Sequence, residues 1–349
     1  MAAPAGRRRL DTTIPVDYDI PTRRPRLTDD RTAQLVISVV IGAWVVGTLL
    51  AATAVVKTPV PSWVERPAAG LLLVVFGIGL THRAGGHMRI WGTITGVLAV
   101  AAVGTQATGL LSAAAATTAV LAAVWAVMIT RPAYRPLTAV REYVISLSVA
   151  LSGTVAVAAW NAPVNYQRFN LAVLAVALGL AIVMVWSLGA GLHGLGRQNL
   201  TLLVGVAVVL VVLLVYSSLV RSHGSQALVE NLDELVIWMR TTFQGVPRPV
   251  EVFIGFPALV VGVSLRSQRR EGWWILVFAV LGTGVLTTSL VSPGAFPTYI
   301  AMSTLYSAVL GLVIGVIVTS FVVRPPSAKR ARAVVPERRV EPARLAPLK

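Results

Sequence analysis

Ten stretches of this chain are long and apolar enough to cross a lipid bilayer, and almost no ionisable residue interrupts them. In lipid every backbone polar group must be satisfied within the protein, so such a chain folds as a helix bundle or a closed barrel. A barrel strand alternates polar and apolar residues over about ten positions, and no stretch here sustains that alternation. The pattern predicts an all-α, polytopic transmembrane bundle. Its expected spans cover 34–56, 68–81, 90–107, 110–130, 143–160, 169–190, 200–220, 250–265, 273–292 and 299–322. The second and eighth are short for a hydrocarbon core of about 30 Å. The run from Ile90 to Thr130 is too long for one helix and breaks near Gln106–Gly109 into a tight hairpin.

Composition agrees. Hydrophobic residues make up 56% of the chain and charged ones 13%, against about a quarter charged in a soluble domain. The charge that remains is basic, +16 net, and sits in connections and tails. Residues 1–32 and 324–349 are rich in arginine and proline and read as disordered basic tails. Arg83, Arg89, Arg131, Arg135, Arg141, Arg197, Arg266, Arg269 and Arg270 fall in connections on the same side as those tails. The positive-inside rule then puts both termini in the cytoplasm of a bacterial plasma membrane. Trp63, Trp91, Trp160, Trp273 and Trp274 fall at expected span ends, as an aromatic belt would. The tails are expected to meet anionic lipid headgroups, at about 1 kcal/mol per basic residue near the surface. The C-terminal tail has no interleaved aromatic residue for base stacking, so nucleic acid is not an expected partner.

The chain has no cysteine, which excludes disulfides, thiolate metal sites and cysteine nucleophiles. His82, His87, His193 and His223 are too scattered for a metal cluster. Walker A, HExxH and GxSxG sequences are missing. No catalytic residue, metal or cofactor is expected. Nor is an acid or base expected at the middle of any span, where ion-coupled carriers and channels place them.

The longest outer connection, 221–249, carries an amphipathic helix over about 225–244. Leu228, Leu232, Leu235, Met239 and Phe243 share its apolar side, and Glu230, Asp233 and Glu234 lie on the other. Ser225 suits its N-cap, and the prolines 247 and 249 stop it. It reads as packing at the outer interface, or as a docking surface or lid. With Glu65, its acids form the outer acidic set. A solvated face is their ordinary role, and catalysis on a lipid-linked substrate is the sharper one. Residues that could line a substrate path are Gln106, Asn170, Thr287, Thr288 and Tyr306, together with Pro257, which breaks its helix within a span. The pairs Gly92–Gly96 and Gly311–Gly315 allow close helix approach, within the chain or in a homodimer.

Three functions fit. The first is a carrier or flippase of an apolar or amphiphilic molecule, not ion-coupled through intramembrane charges. The second is a non-catalytic subunit or scaffold of a cell-envelope assembly, with a membrane-protein partner. The third is an enzyme of lipid-linked substrates. Span number and chain length favour the first. Two five-span repeats are not visible, since the long outer connection has no counterpart in the first half.

Overall fold

The structure is a computed structural model, and it describes residues 27–56, 58–188, 226–268, 272–292, 296–322, 342 and 344–348. The expected seventh span at 200–220, most of both tails, and His193 and His223 lie outside the described residues.

All regular structure among the described residues is helical. The helices are α1 (Leu27–Ala52), α2 (Glu65–Arg83), α3 (Met88–Thr105), α4 (Thr108–Met128), α5 (Pro136–Ala159), α6 (Tyr166–Ser187), α7 (Gln226–Phe243), α8 (Phe256–Arg266), α9 (Gly272–Thr288) and α10 (Pro297–Val322). Seven of them, α2 to α6, α9 and α10, are long and apolar enough to cross a membrane, two with a short 3-10 turn added at one end. The chain is a multi-pass apolar helical bundle, the architecture of an integral membrane protein. Local chemistry explains several boundaries. Proline at the first position opens α5. Asn165 caps α6 by accepting from the Arg168 amide. Gln106, at φ 52°, closes α3 in the left-handed conformation and turns the chain into α4.

Residues up to Val39 form one compact unit and Val40–Lys349 a second. In the second, α9 is the central helix and touches α4, α5, α6 and α8. Burial in lipid supplies no drive between helices, so small residues and interhelical hydrogen bonds hold the core. Thr283 donates to the Ala123 carbonyl, Thr154 to the Leu286 carbonyl, and the Trp160 indole to Thr118. A Cβ on Gly153 would lie 2.4 Å from that of Ala122, so α4 and α5 meet almost backbone to backbone. Within the same unit, the Trp44 indole ties the second half of α1 to Ser152 of α5.

The aromatic belt needs correction. Trp63 and Trp91 are exposed, but Trp160, Trp273 and Trp274 are buried. Trp160 is committed to Thr118, and Trp273 lies 3.8 Å beneath the Arg266 guanidinium. A tryptophan at a span end can face the bundle as well as the interface, and hydropathy does not separate the two.

The α2–α3 and α4–α5 connections and the C-terminal end of α8 share one end of the bundle. There Arg83 donates to the Met128 carbonyl, Arg266 donates to Thr130, and the Ala133 amide donates to the Val263 carbonyl. Arg83, Arg131 and Arg266 make this the basic end.

Candidate functional site at a broken helix

The stretch 244–256 decides how α8 enters the bundle. α7 ends at Phe243, and Gln244 takes a left-handed φ of 55°. The chain then runs extended along α10. The Val246 amide donates to Ser303 Oγ and the Arg248 amide to Ser307 Oγ. Pro247 cannot continue a helix here, Pro249 opens the next one, and serine hydroxyls take the place of the lost helical acceptors. A Cβ on Gly245 would lie 2.6 Å from the Ser303 nitrogen, so glycine is what lets the strand approach α10.

Helix resumes at Pro249 and widens from Glu251 into a five-residue π turn, Glu251–Gly255. Pro257 accounts for it. It has no N–H for the Phe253 carbonyl, and its ring collides with that carbonyl in a regular α-turn. Widening the turn relieves the collision, and such π turns are frequent at functional sites. Gly255 and Gly282 then let α8 cross α9 in backbone contact, since a Cβ on Gly255 would lie 2.3 Å from the Gly282 Cα. Gly311 and Gly315 do the same on α10, against Phe256 and Val260. This pair is intrachain packing. In α3, Gly92 meets Ile78 while Gly96 has nothing within 4 Å.

This path carries two charged side chains into the bundle. Ser307 is the eleventh of the 26 residues of α10, about 15 Å along the helix. Arg248 and Glu251 lie beside it. Glu251 is fully buried. Its Oε1 accepts from Arg248 Nη1, and Arg248 Nη2 donates 3.0 Å to Thr304. Glu251 Oε2 has no hydrogen-bond partner. Tyr143 closes the other side. Its hydroxyl donates 2.7 Å to the Ala308 carbonyl, and its ring meets Phe256 edge-on at 5.9 Å. Ser146, one turn further along α5, is also buried with an unpartnered hydroxyl.

A bundle interior free of charge is therefore not what the chain builds. The expected eighth span put Glu251 at the outer surface, because Gly245–Pro249 read as a surface stop. In the structure that stop lies alongside the middle of α10. The signal was present in the eighth span itself, which is too short to reach across the bilayer unless its start lies below the surface.

The sequence-derived site residues fall into separate places. Thr288 donates 2.7 Å to Asn170 Oδ1, joining α9 to α6. Thr287 bonds back to Gly284. Pro257 is buried at the start of α8. Tyr306 donates to the Phe243 carbonyl. Gln106 is exposed at the α3–α4 turn. Only Asn170 and Thr288 meet through their side chains. In α7, Phe243 stacks edge-on with Tyr306 and Trp238, and Met239 is half-buried. Arg240 lies 5.1 Å over the Tyr299 ring, so this end of α7 rests on α10. Leu228, Leu232, Leu235, Glu230 and Asp233 also belong to α7. Glu234 is exposed, and Glu65 opens α2 half-buried. Among the described residues no group of three His, Cys, Asp or Glu side chains could hold a metal.

No protein-family model, no curated protein and no solved structure matches this chain.

Proposed function

We propose that the chain is a plasma-membrane carrier of about ten spans, with both termini cytoplasmic, that moves a small amphiphilic molecule past the broken helix at 245–256. The observation that carries this reading is the Arg248–Glu251 pair beside Ser307, part-way along α10, with one carboxylate oxygen unmatched. Interrupted spans with free backbone and a few convergent polar groups are how carriers hold a headgroup at mid-depth. Ionisable residues at such depth are costly and mark pathways. The pair adds charge to the uncharged polar route expected from the sequence, so the cargo has a polar group that accepts from Arg248 or donates to Glu251. The basic end faces the cytoplasm by the positive-inside rule. α7 lies at the outer interface, where its contacts with Tyr299 and Tyr306 suit a lid over the broken segment.

The test is native mass spectrometry of the full chain, extracted gently from its own membrane, as wild type and as Glu251→Gln. The carrier reading expects a bound small molecule whose apparent affinity falls about tenfold in the isosteric variant, which corresponds to about 1.4 kcal/mol. A stoichiometric protein partner with no ligand, unchanged in Glu251→Gln, would move the chain to the assembly class. Amide or alanine replacement of Glu65, Glu230, Asp233 and Glu234 is expected to leave ligand binding intact. Loss on replacing a single one of them would favour an enzyme.

A further inference from the structure

The basic end holds a second buried carboxylate, and what fills its surroundings is the chain's own C-terminus. Glu142 of α5 is fully buried. Arg344 donates to both of its oxygens, 2.7 Å each, and also to the Ile129 carbonyl. Two residues on, the Ala346 carbonyl accepts from Arg83 Nη1 at 2.7 Å, and the Leu348 amide donates to the Arg83 carbonyl at 2.9 Å. Leu345 and Leu348 pack against the apolar core. Within the segment expected to be a solvated tail, residues 344–348 are thus seated on the ends of α2, α4 and α5.

We infer that the basic end is a peptide-binding socket whose ligand is an arginine followed by two spaced leucines, here supplied by Arg344, Leu345 and Leu348 of the same chain. Each part of the peptide has a counterpart. The guanidinium matches a planar carboxylate two oxygens at a time, a geometry lysine cannot reproduce. The peptide backbone is held at Arg83, where its Ala346 carbonyl accepts from the guanidinium and its Leu348 amide donates to the main-chain carbonyl. The leucines cover apolar surface between them. Arg141 also reaches Glu142, at 3.0 Å, but its side chain is 61% exposed, against 22% for Arg344. The peptide is therefore the less solvated partner of the buried charge. Residues 323–343 tether it to α10. A tether of that length holds the ligand at an effective concentration near the millimolar range. A socket of modest intrinsic affinity then stays filled, yet can be emptied by a competing peptide of the same chemistry. The socket holds its peptide whatever the bundle carries.

The test uses the full chain and a fluorescent peptide of residues 343–349. Wild-type chain should bind it weakly, because its socket is occupied. The full-length Arg344→Ala variant should bind it about tenfold more tightly, as loss of about 1.4 kcal/mol from the internal ligand implies. A peptide with alanine at Arg344 should not bind either chain, and that variant requires no change in the membrane protein. Equal binding of the two peptides, or equal binding to the two chains, would overturn the proposal. A second measurement covers a variant that fails to fold. In wild-type chain the Leu348 amide should exchange with deuterium markedly more slowly than in the free peptide, and matching exchange would equally sink the idea.

Discussion

Glu142 and Glu251 are both fully buried beside an arginine, yet their remaining partners differ. At Glu142 every oxygen is used. Oε1 accepts from Arg141 and Arg344, and Oε2 from Arg344 and the Arg131 amide. At Glu251 Arg248 serves one oxygen, Ser307 Oγ lies against the carboxylate, and Oε2 makes no hydrogen bond of good geometry. A saturated carboxylate holds elements in register, and its second arginine comes from a tethered segment that can leave. A half-satisfied one, on a broken helix, leaves a buried acceptor without a donor. Burying an ion pair gains little over an apolar pair of the same shape, so stability alone does not account for either pair. One fastens the end of the bundle, and the other leaves a carboxylate oxygen unmatched part-way along α10.

The largest effect should come from Arg248→Ala. It strands Glu251 without a counter-charge, and breaking a buried pair from one side costs about 3–5 kcal/mol. The unfolding midpoint of the purified chain should fall steeply. Replacing both members, as Arg248→Met with Glu251→Leu, should recover most of that stability while ligand binding stays lost. If the double variant is as unstable as the single one, the pair is structural and the contrast with Glu142 collapses.

Next in size is Gly255→Ala. Its Cβ would enter the backbone of α9 at Gly282, where nothing flexible can yield, and overpacking of this kind costs about 1–3 kcal/mol. The comparison is sharpened by Gly96→Ala, on α3, whose Cβ meets nothing within 4 Å. In that open helical position alanine is the better helix former, by up to about 1 kcal/mol. Opposite signs at the two glycines are expected from the same unfolding measurement.

How much of this was legible follows from what lipid hides. The helix positions emerge from apolar runs and the turns between them, because every span needs about the same length. Which helix is central does not emerge. α9 and α10 are almost equally hydropathic, yet 78% of the α9 span is buried in the bundle against 17% of α10. Hydrocarbon and protein interior are equally apolar, so composition cannot rank them. The hydroxyls at Thr287 and Thr288 were visible as candidates, but they are satisfied within α9 or by Asn170. The residues that matter most were overlooked for a different reason. Glu142 and Glu251 each stand at the edge of an apolar run, where an acid reads as the first solvated residue. Only tertiary placement, of α10 beside Glu251 and of Arg344 over Glu142, turns those edges into interior.

Removing Arg344 should weaken the fold less than removing Arg248. In Arg344→Ala, Glu142 keeps Arg141 and the Arg131 amide, so the loss is at the low end for charge-assisted hydrogen bonds, about 1.5 kcal/mol. Tyr143→Phe should cost less still, about 1 kcal/mol for one hydroxyl bond to Ala308, since the ring keeps its edge contact with Phe256. These two substitutions bear on neighbouring residues of one helix, Glu142 facing the C-terminal peptide and Tyr143 the broken segment. Combining them asks whether the end of the bundle and its middle are one device. If α5 moves when the peptide leaves, the double variant will depart from additivity by at least about 0.5 kcal/mol, the range seen for residues in one network. If the costs simply add, α5 is a rigid divider, and the saturated and the half-satisfied carboxylate work independently on its two sides.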